Sequence, residues 1–321
     1  MRAVVVPRHG GPEVLTVEDR PTPEPGPGQL LVDSAGAGVN FIDTYHRGGV
    51  YPVETPFVPG SEGTGRVSAV GPGVSGVAVG DRVAWMSAPG CYAEQVIVPA
   101  DQAVPVPDGI GDDVAAGALL QGITAHYLTH STYPIQPGDT ALVHAGAGGV
   151  GLLLTQLVKQ RGGRVIATVS TDEKEALARS AGADEVLRYE GFAGAARDLT
   201  GGRGVDVVYD GVGKATFDDS LESLRPRGMM VLFGGSSGQV PPFDPQRLNR
   251  LGSLFLTRPT TAPYIATREE LTWRAGDIFE GIATGKLELR IGGRYALHEA
   301  GRAHEDLESR RTTGKLVLLT R

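Results

Sequence analysis

The apolar residues of this chain follow two different grammars. Over residues 1 to about 120 they fall in short Val-rich runs, at 3–6, 30–32, 65–70, 82–85 and 94–98, separated by clusters of Pro and Gly. That pattern predicts a mostly antiparallel β domain with many turns. Residues 60–80 hold seven glycines, too many for a helix. From about residue 135 strand-like and helix-like runs alternate. Strands are expected at 141–144, 164–170, 185–189, 205–210, 229–234 and 253–257, with helices at 150–160, 172–180, 192–199 and 216–224. Six apolar runs in this alternation predict a doubly wound parallel sheet covered on both faces.

After residue 260, amphipathic helices are expected at 269–283 and 299–311, with strands at 288–291 and 315–319. Six strands already complete a doubly wound sheet, so this tail is expected to return to the first domain. The fold class is therefore α/β: a Rossmann-type doubly wound sheet over 123–260, and a mostly β domain assembled from 1–122 and 261–321.

Composition narrows the function. Thirty Lys and Arg against 37 Asp and Glu leave a net charge of −7, which disfavours nucleic acid as a partner. No apolar run is long enough to span a membrane, and the N-terminal segment lacks the apolar stretch of a secretory signal. A single cysteine, Cys91, can form neither an internal disulfide nor a four-cysteine zinc site. A reducing, cytoplasmic setting is expected. Forty-seven glycines among 321 residues is about twice the usual share. In a folded chain they must serve turns and close backbone approaches.

The most informative glycines form Gly146-Ala147-Gly148-Gly149-Val150-Gly151, a GxGxxG between a predicted strand and a predicted helix. One glycine allows the tight turn, one lets backbone approach a pyrophosphate, and one lets helix pack closely on strand. The helix start then offers N–H groups and a positive dipole end to phosphates.

Around this loop the chain carries Gly138, Asp139, Leu142, Gly148, Gly149, Gly151, Gln156 and Lys159 in a spacing that resembles the quinone oxidoreductase/ζ-crystallin pattern. The likeness runs the whole chain. HGGPEVL (9–15), VNFIDTYHRGG (39–49), GSEGTGRV (60–67), GDRV (80–83), ITAHYL (123–128), VYDGVG (208–213), FGGSSG (233–238), LTRP (256–259) and AHEDLESR (303–310) are all similar to bacterial members of that family. The family belongs to the medium-chain dehydrogenase/reductase superfamily. The resemblance implies a GroES-like catalytic domain beside the Rossmann domain, a homodimer, NADPH as cofactor, and a quinone or other electrophilic carbonyl as substrate.

Zinc-dependent relatives carry Cys where this chain has Asn40 and His where it has Ser61. Glu62 remains, but one carboxylate cannot hold zinc alone. Of the seven histidines only His126 and His130 share a helical spacing, and without a third ligand they read as structural. The expected chemistry is hydride transfer without a metal, which suits quinones and enones better than unactivated alcohols.

Such an acceptor needs a donor for the charge that builds on its oxygen. Asn40 offers an amide, and Tyr45 a phenol that keeps its proton at neutral pH. Thr124 and Arg258 resemble residues at the nicotinamide end. The resemblance assigns cofactor contacts to these four and to Gly148, Gly149, Val150, Phe233, Gly234, Gly235, Ser236, Leu256 and Thr257. Around the 2′-phosphate it implies Ser170, Thr171, Lys174, Tyr189 and Arg310. Asp172 and Glu173 intrude on that group. They read either as the first turn of a helix capped by Ser170-Thr171, or as a carboxylate turned to the ribose that weakens the NADPH preference. Two other functions remain open from sequence: an enone or alkenal reductase of the same superfamily, and a non-catalytic, crystallin-like nucleotide-binding protein.

Overall fold

Strands β1 (Arg2–Val5) and β2 (Thr16–Asp19) open the chain as an antiparallel pair. The long β3 (Gln29–Val39) follows and runs directly into α1 (Phe41–Arg47). Then come β4 (Gly63–Val70), β5 (Arg82–Trp85), β6 (Gln95–Pro99), β7 (Val104–Pro105) and α2 (Asp112–Tyr127). The structure is a computed structural model describing residues 1–320. It divides into two units: Met1–Gly122 joined by the tail from Ile265 onward, and Ile123–Tyr264.

Both helices in this first stretch depart from the expected strands and loops. Helix α1 is only seven residues of β-branched, aromatic and polar side chains, so propensity does not reveal it. It forms because the Asp43 carboxylate accepts the Asn40 N–H at 2.8 Å and ties down the first turn. Helix α2 is rich in Ala, Gly and Leu and is buried on most sides. Without a polar stripe it shows no amphipathic period.

The second unit alternates β8 (Thr140–Val143), α3 (Gly149–Gln160), β9 (Arg164–Thr168), α4 (Asp172–Ser180), β10 (Glu185–Leu187), α5 (Phe192–Asp198), β11 (Val205–Asp210), α6 (Phe217–Ser223), β12 (Leu224–Leu232), α7 (Gln246–Arg250) and β13 (Phe255–Thr257). Its six strands are all parallel, in the order β10-β9-β8-β11-β12-β13. Every residue of β8 and β11 is buried, as expected for strands covered on both faces. The chain reverses direction across the sheet between β8 and β11, and ligands of such sheets bind beyond the C-terminal strand ends at that point.

The tail supplies α8 (Arg268–Ala283), β14 (Ile291–Ala296), α9 (Ala300–Glu308) and β15 (Lys315–Leu319). It returns to the first unit, where the strand order is β14-β15-β3-β4-β5-β7 with β6 also on β3. The strand expected at 288–291 begins instead at Ile291. Gly292 and Gly293 interrupt the apolar run, and Gly292 lets the backbone approach the Thr313 carbonyl. In the antiparallel register of β15 on β3, Leu316 faces Val39, which sets Lys315 level with Asn40. The core of this unit is built on Trp85, Tyr92, Leu30, Val32 and Leu318. No helix among the described residues is long and apolar enough to cross a membrane.

Candidate active site and cofactor cradle

In the second unit the Gly-rich loop leaves β8 through Ala145, whose φ is +51°. A side chain on Gly146 would come within 2.8 Å of the Ala167 Cβ on β9, and one on Gly151 would strike the Ala145 carbonyl. These two glycines therefore let α3 lie against the sheet. Gly148 caps α3 with extended backbone and no side-chain acceptor. The first-turn N–H groups beginning at Gly149 and Val150 thus meet no capping side chain, as an anion site requires.

The next strand end is closed differently. Thr171 caps α4, its hydroxyl accepting the Lys174 N–H at 3.3 Å. The cap-and-first-turn reading of Ser170-Thr171-Asp172-Glu173 describes this geometry. Partial burial lowers the Lys174 ammonium from its usual range. Just past β9, the Val169 N–H reaches the Leu187 carbonyl at 3.0 Å. Just past β10, the Tyr189 hydroxyl accepts the Ala145 N–H at 3.2 Å. Gly148, Gly149, Val150, Ser170, Thr171, Lys174 and Tyr189 thus gather beyond the C-terminal ends of β8, β9 and β10. Asp172 does not stand alone there: it is ion-paired with Arg188 at 2.5 Å.

Across the switch point, Phe233, Gly234, Gly235 and Ser236 follow β12 and fold onto 210–213. The Phe233 N–H goes to the Asp210 carbonyl and the Ser236 N–H to that of Gly211. Leu256 and Thr257 lie in β13 beside Met230 and Val231. Arg258 follows them and donates to the Pro259 carbonyl at 3.1 Å. Thr124 is buried on α2. Asn40, Tyr45 and Arg310 belong to the other unit, with Arg310 just past α9 at a φ of +58°.

The structure changes what Asn40 can do. Its Oδ1 accepts from the Lys315 ammonium at 2.7 Å, and its Nδ2 donates to Glu62 Oε2 at 3.0 Å and to the Gly38 carbonyl at 3.3 Å. Because Lys315 can only donate, the amide orientation is fixed. Both amide hydrogens are used within the protein. As the side chains stand, neither amide hydrogen is left for the substrate oxygen that Asn40 is expected to serve, and the side chain braces the start of α1. Lys315 Nζ also lies 2.6 Å from Glu62 Oε2, with both side chains fully buried. The other Glu62 oxygen accepts the Leu120 N–H at 2.7 Å.

Below α1 runs a second buried chain. Arg47 donates to His304 Nδ1 at 2.9 Å, which leaves the imidazole proton on Nε2. That nitrogen donates to the Tyr92 hydroxyl at 3.1 Å, which donates to Asp43 Oδ2 at 2.9 Å. Burial, and then the nearby Arg47 charge, push His304 down to about 3. Burial raises Asp43 to about 6, against the hydrogen bonds from Asn40 and Tyr92. The other Asp43 oxygen has no hydrogen-bond partner.

The outer face of α1 is aromatic. The Tyr45 ring meets Tyr51 edge-on at 5.6 Å and lies 6.4 Å from Phe41, while His46 lies 6.3 Å from Tyr51. Exposed Ile42, Val50 and Tyr51 adjoin it. Elsewhere, His126 and His130 stack face to face at 4.0 Å, with His130 Nδ1 donating to the His126 carbonyl at 3.0 Å. Cys91 is buried between the Trp85 indole N–H and the Ala88 carbonyl, and burial pushes its thiol up.

Residues 26–108 match the family profile described as the alcohol dehydrogenase GroES-like domain, and residues 149–267 that of zinc-binding dehydrogenases. The zinc of the latter name does not suit this donor set. Asn40 and Ser61 stand at the ligand positions, and Glu62 is already held by an ammonium. Among the described residues no three His, Cys, Asp or Glu gather as a metal would need. The chain is 45% identical to a quinone oxidoreductase of Pseudomonas aeruginosa over 317 residues, 97% of each protein. It is 41% identical to a 2-haloacrylate reductase of a Burkholderia species, covering 99% of this chain and 98% of that one. The solved Escherichia coli quinone oxidoreductase complexed with NADPH superposes with a TM-score of 0.97 at 41% identity, covering 99% of this chain and 100% of that one.

Proposed function

From the premise that this chain belongs to the quinone oxidoreductase family of medium-chain dehydrogenases/reductases, we propose that it is an NADPH-dependent quinone reductase. The observation that carries this reading is the uncapped start of α3 beyond the sheet's C-terminal edge. Gly148, Gly149 and Val150 would cradle the pyrophosphate there. Ser170, Thr171, Lys174 and Tyr189 would hold the 2′-phosphate, and the family resemblance adds Arg310. Thr124, Phe233, Gly234, Gly235, Ser236, Leu256, Thr257 and Arg258 would line the nicotinamide end.

NADPH supplies the hydride that reduces an electrophilic carbonyl when it is bound. The protein's own part is to orient the acceptor and to meet the charge that develops on its oxygen. Tyr45 is the donor for that oxygen, since the Asn40 amide is committed to Glu62 and Gly38. Water would supply the proton that completes the hydroquinone.

Two features extend the proposal. Among the described residues strand β13 pairs only with β12, which leaves Phe255 57% exposed at the sheet's edge. We assign that edge to a homodimer contact, to be checked by solution mass at micromolar concentration. The haloacrylate-reducing relative favours a second acceptor class, conjugated carbon–carbon double bonds.

The deciding experiment is steady-state NADPH oxidation with a panel of quinones and enones. Quinone turnover is expected, lowered in kcat/KM by roughly ten- to a hundredfold in Tyr45→Phe, the usual worth of one oxyanion donor or less. NADPH binding without turnover on any acceptor would mark the chain as a nucleotide-binding protein without catalysis.

A further inference from the structure

A Rossmann site that selects the unphosphorylated cofactor places a carboxylate just past its second strand, on the ribose hydroxyls. Here Asp172 stands at that point, three positions beyond Val169 and next to the Thr171 cap. Left bare, it would repel a 2′-phosphate. It is not bare. The Arg188 guanidinium reaches from the end of β10 to the first turn of α4. One of its terminal nitrogens meets Asp172 Oδ1 at 2.5 Å and Glu175 Oε2 at 2.9 Å. Asp172 and Glu175 lie three apart, so they share one helix face. Glu175 has a second cation, Arg179, at 3.0 Å. For Asp172, Arg188 is the cation that the structure provides.

We propose that Arg188 is a specificity-determining residue that preserves the NADPH preference by screening Asp172. The inference rests on the assignment of the 2′-phosphate to Lys174 and Tyr189 given above. Helix α4 and Arg188 together carry three carboxylates, Asp172, Glu173 and Glu175, balanced by Lys174, Arg179 and Arg188. Removing Arg188 leaves one excess negative charge beside the position of a phosphate that carries up to two. Removing Asp172 leaves one excess positive charge and releases part of the guanidinium. The same substitution elsewhere on the surface would matter little. Here it would matter, because the assigned 2′-phosphate would lie near this helix start, where salt screens charge incompletely. Tyr189, the neighbour of Arg188, is tied to the Gly-rich loop through its bond from the Ala145 N–H.

The test is a set of dissociation constants for NADPH and NADH, read by nicotinamide fluorescence without any acceptor present, at low and high salt. In Arg188→Ala, NADPH is expected to weaken by roughly three- to tenfold at low salt and less at high salt, with NADH nearly unchanged. Asp172→Ala is expected to tighten NADPH by a similar factor. The double variant Asp172→Ala/Arg188→Ala is expected to return close to the original affinity. An undiminished loss from Arg188→Ala in the Asp172→Ala background overturns the screening role, because the arginine would then touch the phosphate itself. Equal losses for both cofactors overturn it in favour of a purely structural arginine. Lys174→Ala separates the two levels. If it discriminates between NADPH and NADH while Arg188→Ala does not, only this inference fails. If Lys174→Ala weakens both cofactors equally, the assignment of the phosphate fails with it.

Discussion

Helices α1 and α3 both begin at residues that bear on function, and they begin in opposite ways. At α1 every polar group of Asn40 is claimed: the backbone N–H by Asp43, the side-chain oxygen by Lys315, and the amide hydrogens by Glu62 and Gly38. At α3 the cap is Gly148, which has no side chain to offer. One start is sealed by the fold, and the other is uncapped and carries the proposed cradle. A helix start binds an anion when the sequence withholds a cap. A polar residue beside it becomes a scaffold when buried partners have already taken its hydrogens.

The contrast can be broken most forcefully at Lys315. Lys315→Met strands the fully buried Glu62 carboxylate, and losing one partner of a buried pair costs about 3–5 kcal/mol. Urea or guanidinium unfolding should register that loss. Lys315→Met/Glu62→Gln should recover much of it, because no charge is then left unpaired. A stable, fully active Lys315→Met would mean that the sealed start of α1 does not depend on its cation.

The open start is tested by Gly149→Val. A branched side chain there fills the space in which a pyrophosphate would meet the first turn. The variant is expected to fold and to lose about a hundredfold or more in NADPH affinity, since each lost charge-assisted bond is worth about 1.5–3 kcal/mol. Direct titration of NADPH checks this. Tight binding by a folded variant would remove α3 from the cradle.

The smallest expected effect is a slope in stability against pH, and it sharpens the description of the sealed side. Asp43 is raised from 3.8 to about 6. It contributes stability that is present in acid and lost as pH rises through about 6. His304 is lowered from 6.5 to about 3. The unfolded imidazole takes up a proton first, so this group costs stability as pH falls below 6.5. Between about pH 4 and 6 the two contributions oppose each other. Asp43→Asn removes the first and leaves the second. Its melting temperature should therefore fall more steeply than that of the parent protein on acidification from pH 6.5 to 4.

Local signals made much of this legible in the sequence. The GxGxxG turn, each apolar run and the Thr171 cap are each contained within a few consecutive residues, and the turn, strands and helix start form there. What could not be read is long-range. Lys315 meets Asn40 across 275 positions and Glu62 across 253. No spacing marks such a contact, so Asn40 looked like an available donor. Asp172 looked like a rival to the 2′-phosphate because its partner Arg188 lies 16 positions on, in the next strand–helix unit. Helices α1 and α2 were hidden for the opposite reason. One is held by a local side-chain cap despite weak propensity, and the other is too evenly buried to show a period.

The return of β15 to β3 has a consequence for the order of assembly. The Ile123–Tyr264 unit is one continuous stretch, so a ribosome can release it whole and let it fold on its own contacts. The other unit has most of its sheet made early but must wait for the tail. Until residue 315 has been synthesised, Glu62 lacks the ammonium beside which it is buried, and β3 lacks β15. The unit that holds residues 1–122 is therefore finished only after the tail has been made, and translation itself times when the scaffold under Tyr45 can close.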